Sequence, residues 1–192
     1  MGAPRLCAAD VSRLVVVDVQ ARLAAAMRPE DRARVLRVAG RLLRAAGLLG
    51  VPVHVTEQYP KGLGPTEPEL ARHLPPGVEP VAKTGFSCCA EAAFREAVCA
   101  EPRRQVVLTG MEAHVCVLQT ALELLDLGLE VHVVEDAVCS RDPAHAANAL
   151  ARLRAEGVVV TNHESVLFEW LRDARHERFK AVSALLKEEA PP

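Results

Sequence analysis

The chain has 192 residues, half of them hydrophobic, so it can bury one sizeable core without disulfides or metal ions, and a single domain over residues 1–192 is predicted. Its formal net charge of -2 is spread through the sequence without a basic block, which argues against a nucleic-acid partner. Its apolar runs are far shorter than the ~20 residues that cross a bilayer, and its first residues lack the apolar segment of a signal peptide, so a cytoplasmic protein is expected.

Five valine-rich runs predict strands of a parallel sheet. They are RLVVVDVQ (13–20), VPVHVTE (51–57), QVVLTG (105–110), EVHVVED (130–136) and GVVVTN (157–162), and EPVAKTG (79–85) is a weaker sixth. The runs are continuously apolar, as in strands that are covered on both faces. Amphipathic helical segments lie between them, and Gly50, Gly128 and Gly157 fit left-handed caps that end three of these helices. The alternation predicts an α/β three-layer sandwich of Rossmann-like type, a six-stranded parallel sheet with helices on both faces.

Two segments stand outside this alternation. Residues 58–80 are rich in proline and glycine and longer than the roughly 12–15 residues of most loops, so they form either a pocket wall or a surface loop. Residues 176–189 are amphipathic, with Phe179, Val182, Leu185 and Leu186 on the apolar side. This face is expected either to pack on the chain's own sheet or to be buried against a second copy. The second alternative predicts a homo-oligomer.

Chemistry is expected at the carboxyl ends of the strands, where open parallel sheets bind ligands. Asp18 lies inside an apolar run, where an unpaired carboxylate is very unfavourable, so it requires a cation nearby. Lys83, which follows the weak sixth strand, is the matching candidate. The pair is either a buried structural ion pair or part of a reactive site.

Cys116 lies just after the apolar run 105–110, close to the start of a helix predicted to begin near Ala113. It is either a small core side chain or a nucleophile. A helix N-terminus and a nearby lysine both lower the pKa of a thiol, so a nucleophilic Cys116 is expected to have a pKa in the ~3.5–7.5 range of activated cysteines. The unbonded N–H groups of the first helical turn would face an oxyanion. His114 is a poorer partner, because residues two apart on a helix do not face each other.

Three motifs, VVVDVQ with Asp18, VAKTGFS with Lys83 and TGMEAHVCVLQT with Cys116, resemble those of the isochorismatase-like cysteine hydrolase superfamily. The segment TEQYPKGLGPTEPEL is most similar to its isochorismatase domain-containing protein branch. The resemblance implies a six-stranded parallel sheet and a catalytic triad of Asp18, Lys83 and Cys116 without a cofactor. It also implies a cis peptide bond between Met111 and Glu112, with the N–H groups of Glu112 and Cys116 as an oxyanion hole.

Two departures from the superfamily narrow the expected reaction. Residues 56–62, TEQYPKG, stand where nicotinamidases carry metal-binding Asp and His residues, so no metal site is predicted and nicotinamidase activity is not expected. Isochorismatases proper lack the cysteine that Cys116 supplies here, so vinyl ether cleavage is not expected either. The remaining reaction is hydrolysis of a small amide-type C–N bond through a Cys116 thioester, with the natural substrate unknown.

Side chains that follow the strand ends are expected to line a small-molecule pocket: Gln20, Glu57, Gln58, Tyr59, Phe86 and Met111. Two other functions remain open. The chain is a non-catalytic binding or interaction protein that retains a hydrolase fold, or a thiol redox protein in which Cys88, Cys89 or Cys139 pairs with Cys116. Alkylation of Cys116 by iodoacetamide at neutral pH, ahead of the other five cysteines, is expected of the hydrolase.

Overall fold

A computed structural model describes residues 6–100 and 102–188. Within them, six strands form one sheet in the order β3-β2-β1-β4-β5-β6, and every neighbouring pair is parallel. The strands are β1 (Ser12–Val17), β2 (Val53–Gln58), β3 (Val81–Lys83), β4 (Gln105–Met111), β5 (Glu130–Cys139) and β6 (Val159–Thr161). The predicted parallel sheet is confirmed. Because the chain order reverses between β1 and β4, a crevice lies outside the carboxyl ends of these two strands, where α/β sheets bind ligands.

Helices connect the strands and cover both faces of the sheet. They are α1 (Ala21–Ala24), α2 (Pro29–Leu49), α3 (Pro60–Leu63), α4 (Pro68–Ala71), α5 (Ala92–Cys99), α6 (Leu118–Asp126), α7 (Pro143–Ala155), α8 (His163–Leu171) and α9 (Phe179–Lys187). A 3₁₀ turn at Cys88–Ala90 precedes α5, and a π-helical turn at Ala113–Val117 precedes α6. Among the helices of the described ranges, none combines the length and the apolar character needed to traverse a bilayer.

The core has two halves, one on each side of the sheet. Alternate residues of β1 supply both halves: Leu14 and Val16 pack with α2, α8 and α9, whereas Val15 and Val17 pack with α5, α6 and α7. All six residues of β1 are buried, because this central strand is covered on both faces. The three-layer α/β sandwich predicted from the continuous valine runs is therefore confirmed.

Glycine ends three of the helix-to-strand units, as the sequence predicts. Gly50, Gly128 and Gly157 have φ angles of 67°, 81° and 94°, the left-handed region that a Cβ disfavours. At the other end of α7, the side chain of Asp142 accepts a hydrogen bond from the N–H of Ala144, which caps the helix N-terminus. These local signals set where the helices stop and start around the sheet.

Helix α9 packs on its own chain. Val182 and Leu185 are buried in the same half of the core as α2 and α8, and Phe179 and Leu186 are partly buried against it. Of the two alternatives left open by the sequence, packing on the chain's own core is the one that the structure shows. An amphipathic pattern indicates that a face is covered, but not which surface covers it.

The segment between β2 and β3 is a folded wall rather than an irregular loop. It contains the short helices α3 and α4, each begun by a proline at its first turn. The carboxylate of Glu57 accepts hydrogen bonds from the N–H and hydroxyl groups of Thr66, at 2.6 and 2.8 Å. Thr66 also pairs with Gln20 in an isolated antiparallel bridge. The segment is thereby held against the carboxyl ends of β1 and β2.

Candidate active site

A buried ion pair lies at the carboxyl ends of β1 and β3. The Nζ atom of Lys83 lies 2.6 Å from Oδ2 of Asp18, and both side chains are fully buried. Lys83 also donates to Oε1 of Gln58 at 2.6 Å and to the carbonyls of Phe86 and Gly85 at 2.9 and 3.2 Å. The ammonium is thus surrounded by oxygen acceptors, which offset the loss of water that burial imposes on a charge.

The second oxygen of Asp18 belongs to a chain of polar groups. The hydroxyl of Thr56 donates to Oδ1 of Asp18 at 2.8 Å, and Sγ of Cys88 lies 3.4 Å from the same hydroxyl. Because the hydroxyl proton is used for Asp18, the Cys88 thiol is the donor in the second contact. The N–H of Cys88 in turn donates to the hydroxyl of Thr120, on α6, at 2.9 Å. Sequence reasoning missed Thr56 and Thr120 and named Cys88 only as a possible redox partner of Cys116, since only the tertiary fold brings these residues to Asp18.

The backbone at Asp18 takes an uncommon conformation. Its φ is 52°, in the left-handed region, which costs a residue other than glycine on the order of 1–3 kcal/mol. Its N–H donates to the carbonyl of Thr56 at 3.1 Å, and its carbonyl accepts from the N–H of Gln20 at 2.9 Å. These bonds keep the carboxylate at the switch-point crevice, beyond the last residue of β1.

Gly110 lets β4 approach β1 next to Asp18. It pairs with Val17 in the parallel register, and a Cβ at this position would lie 2.0 Å from the carbonyl oxygen of Val17. Its φ of 125° is a second reason why only glycine fits. No sequence signal other than the glycine itself, within TGMEAHVC, indicates this close approach.

Cys116 lies in the π-helical turn Ala113–Val117, not in the first turn of an α-helix. The N–H groups of Val115 and Val117 both donate to the carbonyl of Glu112, at 3.1 and 3.2 Å. Within the described residues, the N–H of Cys116 between them does not donate to that carbonyl. π-helical turns are rare and often occur at functional sites. Cys116 thus lies in a turn whose hydrogen-bond pattern differs from that of an α-helix.

The peptide bond between Met111 and Glu112 is cis. In the part of the chain that the structure covers, the N–H of Glu112 is not bonded to another backbone group. The side chain of Glu112 turns to Arg141 instead, accepting from its N–H at 2.9 Å and from its Nε at 3.1 Å. The two N–H groups named from the sequence, those of Glu112 and Cys116, therefore remain candidates for an oxyanion hole.

The pKa of the Cys116 thiol is raised to about 12, which contradicts the range expected from the sequence. Burial has the largest effect, followed by the negative charge of Asp18, while the charge of Lys83 lowers the pKa without compensating. Asp18 also acts on the thiol as a hydrogen-bond acceptor, which raises the pKa further. Burial and the carboxylate together outweigh the helix N-terminus and the lysine on which the lower range expected from the sequence depends. Cys116 is therefore a thiol at neutral pH, next to a carboxylate that can accept its proton.

Alkylation of Cys116 ahead of all other cysteines is consequently not expected of the free protein. Cys116 is buried, whereas Cys99 is exposed. All six cysteines are free, so the structure contains no disulfide between Cys116 and the other thiols named from the sequence.

The structure places the predicted pocket residues in different roles. Gln20 is fully buried. Its amide nitrogen donates to the carbonyls of Gln58 and Gly64 at 3.0 and 2.6 Å, and its amide oxygen accepts from the N–H of Gln58 at 2.7 Å.

The other predicted pocket residues also have structural contacts. Glu57 accepts hydrogen bonds from Thr66, and the side chain of Gln58 links Lys83 to the carbonyl of Thr84. These side chains hold the wall of the crevice. Met111 is fully buried in the core.

Two aromatic side chains near Lys83 face solvent. Tyr59 and Phe86 have 54% and 55% of their surface exposed, and the N–H of Tyr59 donates to the carbonyl of Lys83 at 2.8 Å. A cavity of about 400 Å³ beside them is lined by Tyr59, Pro60, Lys61, Ala82, Lys83, Thr84 and Glu91. Cys116 is not among its lining residues, so this cavity lies on the β3 side of the ion pair.

A histidine pair lies on the other side of Cys116. Nδ1 of His114 is 2.9 Å from the hydroxyl of Ser140, and the rings of His114 and His145 have centroids 4.9 Å apart. The ring of His114 is thus directed to β5 and α7, and the structure brings Asp18, not His114, to act on the thiol. Among the described residues, no group of three or more His, Cys, Asp or Glu side chains is arranged to hold a metal ion.

Comparison with known proteins gives the same family. The isochorismatase domain matches residues 12–165. Isochorismatase domain-containing protein 2 of Pongo abelii is 46% identical over 159 residues, which are 82% of this chain and 75% of that protein.

Solved structures share the fold over nearly the whole chain. The MAR1 ribonuclease from Caenorhabditis elegans has a TM-score of 0.90 and 36% identity, over 97% of this chain and 95% of that one. YcaC from Pseudomonas aeruginosa, solved with covalent acrylamide, has a TM-score of 0.84 and 28% identity, over 97% of this chain and 96% of that one. The Escherichia coli YcaC product, an octameric hydrolase of unknown specificity, has a TM-score of 0.87 but 24% identity, over 97% of this chain and 91% of that one, and shows the fold alone. With its family domain, a close relative and this fold, the chain belongs to the isochorismatase family.

Proposed function

We propose that the protein is a cysteine hydrolase that cleaves a small amide-type C–N bond through a thioester on Cys116. The observation that carries this proposal is the fully buried pair of Lys83 and Asp18, and the negative charge of its carboxylate raises the pKa of the Cys116 thiol. A core cysteine used only for packing would gain nothing from a buried carboxylate held by a lysine, because that pair is costly to bury. The arrangement suits proton transfer from sulfur to carboxylate.

Acylation would use Asp18 as the general base. As Sγ of Cys116 attacks the substrate carbonyl carbon, its proton moves to Asp18, and the carbonyl becomes an oxyanion that accepts from the N–H groups of Glu112 and Cys116. The C–N bond then breaks, the amine leaves with the proton from Asp18, and the acyl group remains on sulfur. The raised thiol pKa fits this sequence, since the thiolate would form only as the carbonyl is attacked.

Deacylation would reverse the roles of the same groups. Asp18 takes a proton from water, the hydroxide attacks the thioester carbon, and the C–S bond breaks as the proton returns to Cys116. Lys83 would hold the Asp18 carboxylate in place through both half-reactions, by the contact at 2.6 Å. The covalent acrylamide in the P. aeruginosa structure indicates a reactive nucleophile in that protein, because acrylamide alkylates nucleophiles at its alkene carbon, and to that extent it supports a nucleophilic cysteine here.

The test is turnover of a panel of small amides by the wild-type protein and by Cys116→Ala and Cys116→Ser. Intact mass after rapid quenching should show an acyl adduct on wild-type Cys116, no adduct in Cys116→Ala, and unchanged turnover after treatment with EDTA. Turnover that survives in Cys116→Ala would refute a thioester. Absence of any turnover or adduct over a broad panel would favour the alternative, a non-catalytic protein that retains the hydrolase fold.

A second candidate, hydrolysis of RNA, comes from the similarity to the C. elegans MAR1 ribonuclease. The burial of Cys116, 5% exposed, favours a small substrate over a polynucleotide, which requires an open basic groove. Labelled single-stranded RNA, incubated with wild-type protein and Asp18→Asn, distinguishes the two. Cleavage that depends on Asp18 would establish the second candidate in place of the amide reaction.

Self-association is part of the proposal, although α9 is not its basis. The support is the octameric E. coli neighbour, together with the exposed aromatic side chains Tyr59, Phe86 and Phe168. Sedimentation velocity at micromolar concentration should show a species larger than the monomer. A monomer over the whole accessible concentration range would exclude a stable oligomer.

A further inference from the structure

A cavity in one helix layer has four arginines among its nine lining residues. Its volume is about 130 Å³, and it lies between α2, the residues of and after α4, and the end of α9. One water molecule requires only ~10–15 Å³ by this measure, so the cavity can hold a small anion with part of its hydration. The charged and titratable lining residues are Arg37, Arg41, Arg44, Arg72, His73, Glu69 and Glu188. We refer to this site as the arginine groove.

Three of its arginines share one face of α2. Arg37, Arg41 and Arg44 are four and three residues apart, a spacing that places side chains next to each other on a helix. Like charges at this spacing destabilise a helix. Burial and then the positive charge of Arg37 lower the pKa of Arg41, which reflects the crowding. Such a cluster is stabilised when an anion binds to it.

The carboxylate of Glu188 is the anion that now lies against this face. Both terminal nitrogens of Arg44 donate to its two oxygens, one of them at 2.8 Å. Arg41 donates to the backbone carbonyl of Glu188 at 2.6 Å. The paired geometry is the one in which a guanidinium binds a carboxylate or a phosphate through two parallel hydrogen bonds. The C-terminal end of α9 therefore occupies the groove as an internal carboxylate.

The groove has more positive charge than its own carboxylates neutralise. Its four arginines face two glutamates, and Arg37 forms neither an ion pair nor a hydrogen bond with any residue of the described ranges. Burial lowers the pKa of His73, so its ring is neutral at pH 7. Arg37 thus remains as an unused cation at the edge of a site that already holds one oxyanion.

We propose that the arginine groove binds a phosphate group, as inorganic phosphate or a soluble phosphomonoester, which displaces the carboxylate of Glu188. A phosphate dianion carries twice the charge of a carboxylate and has a third oxygen, which can engage Arg37 while Arg44 transfers its paired hydrogen bonds from Glu188 to the phosphate. The groove contains none of Asp18, Lys83 and Cys116, so the site is independent of the proposed hydrolytic reaction.

Calorimetric titration with inorganic phosphate and with glycerol 1-phosphate, at constant ionic strength, tests the proposal. Arg37→Gln removes a cation that has no ion pair with residues 6–100 or 102–188, and we expect it to weaken phosphate binding about tenfold or more. Arg28→Gln is the matched control, because it removes the same charge from the exposed start of α2, outside the groove. It should change the affinity by less than about twofold, because a distant exposed charge is screened.

Glu188→Gln removes the competing carboxylate and should tighten phosphate binding by up to about fivefold, the range of an exposed ion pair. Its control is Glu135→Gln, which breaks a similar exposed pair with Arg154 elsewhere. Whichever of the two ligands binds more tightly identifies the form of phosphate that the groove takes. Equal weakening by Arg37→Gln and Arg28→Gln, or no binding of millimolar phosphate or glycerol 1-phosphate to Glu188→Gln, would overturn the proposal.

Discussion

The Nζ atom of Lys83 lies 2.6 Å from the carboxylate of Asp18, and neither side chain has exposed surface. Removal of either partner would leave a charge in the core without its counter-ion. The hydrogen bonds that remain could not neutralise that charge. Stability and the proposed reaction therefore depend on the same two side chains.

Lys83→Met should lower the free energy of unfolding by about 3–5 kcal/mol, the cost of breaking a buried ion pair, and should abolish amide turnover. Denaturant unfolding measures the first effect. Arg154→Met is the control, since its pair with Glu135 is exposed and should contribute less than about 1 kcal/mol. Similar losses in the two variants would contradict the view that burial makes the Lys83 pair special.

Wild-type Cys116 should react slowly with iodoacetamide at neutral pH. Burial and the charge of Asp18 raise the pKa of its thiol to about 12, and only the thiolate is a good nucleophile. The exposed Cys99 should therefore be modified first. Peptide mapping over a range of pH should show the rate at Cys116 increasing as the pH approaches that pKa. Faster modification of Cys116 than of Cys99 at pH 7 would disprove the raised pKa.

Asp18→Asn should separate thiol reactivity from turnover. Without the carboxylate, its charge and acceptor oxygen no longer raise the pKa of Cys116, while the charge of Lys83 still lowers it. Each unit by which the pKa falls raises the thiolate fraction tenfold at a fixed pH below the pKa, so alkylation of Cys116 should be at least about tenfold faster. Amide turnover should be lost, because no base remains.

The matched control for Asp18→Asn is Asp173→Asn, which alters an exposed carboxylate paired with Arg175 and should change neither rate. If alkylation and turnover both decrease in Asp18→Asn, with the fold intact by circular dichroism, Asp18 does not act on the thiol as proposed.

Gly110→Ala should be strongly destabilising. The added Cβ would lie 2.0 Å from the Val17 carbonyl, so β4 would have to move away from β1, in addition to a strain of about 1–3 kcal/mol from the positive φ. Gly47→Ala is the opposite case, because Gly47 lies in α2 with no atom within 4 Å of the new Cβ. That variant should be more stable by about 0.5–1 kcal/mol. Thermal unfolding of both measures the contrast.

Asp136→Asn should reduce stability in a pH-dependent manner. Burial alone would raise the pKa of Asp136, but hydrogen bonds from His163, with Nδ1 2.5 Å from the carboxylate, outweigh it and lower the pKa. Because the pKa of Asp136 is lower in the folded protein than its value of about 3.9 in the unfolded chain, the ionised carboxylate stabilises the fold at pH values above about 3.9. This stabilisation is lost as the pH falls through the pKa of the folded protein. The variant should lose about 1–3 kcal/mol at pH 7, and the difference should narrow below about pH 4. A constant difference across this range would rule out the linkage.

Sequence patterns predicted the sheet and the helix ends because those signals are local. Continuous valine runs such as the one in β1 require cover on both faces, and Gly50 and Gly128 have the left-handed φ that their positions required. The need of Asp18 for a cation could also be argued locally, since a buried carboxylate without one is too unfavourable. Lys83 was the suitable cation at a strand end, and the structure brings the two together.

The failures concern effects that depend on tertiary packing. The pKa of Cys116 depends on how deeply the thiol is buried and on its position relative to Asp18, and neither is visible in the TGMEAHVCVLQT motif. The π-helical turn around Cys116 has no sequence signal comparable to a helix cap. The sequence left the partner of the apolar face of α9 undecided, because an amphipathic pattern gives no information about which surface is nearest.

The bonds of Gln20 have a consequence for how new specificities can arise. Gln20 holds the backbone of Gln58 and Gly64, not the side chains of the residues between them. Such bonds do not depend on the side chains at positions 59 and 61, so these can change while the geometry at Asp18 is preserved. The φ of 36° at Tyr59 restricts which residues fit there, and Gly62 has no room for a Cβ while the Tyr59 ring is present. Evolution can therefore diversify the rim of the crevice without altering the groups beneath it. A library that randomises Tyr59, Lys61 and Phe86 and keeps Gln20 would explore the same variation in the laboratory.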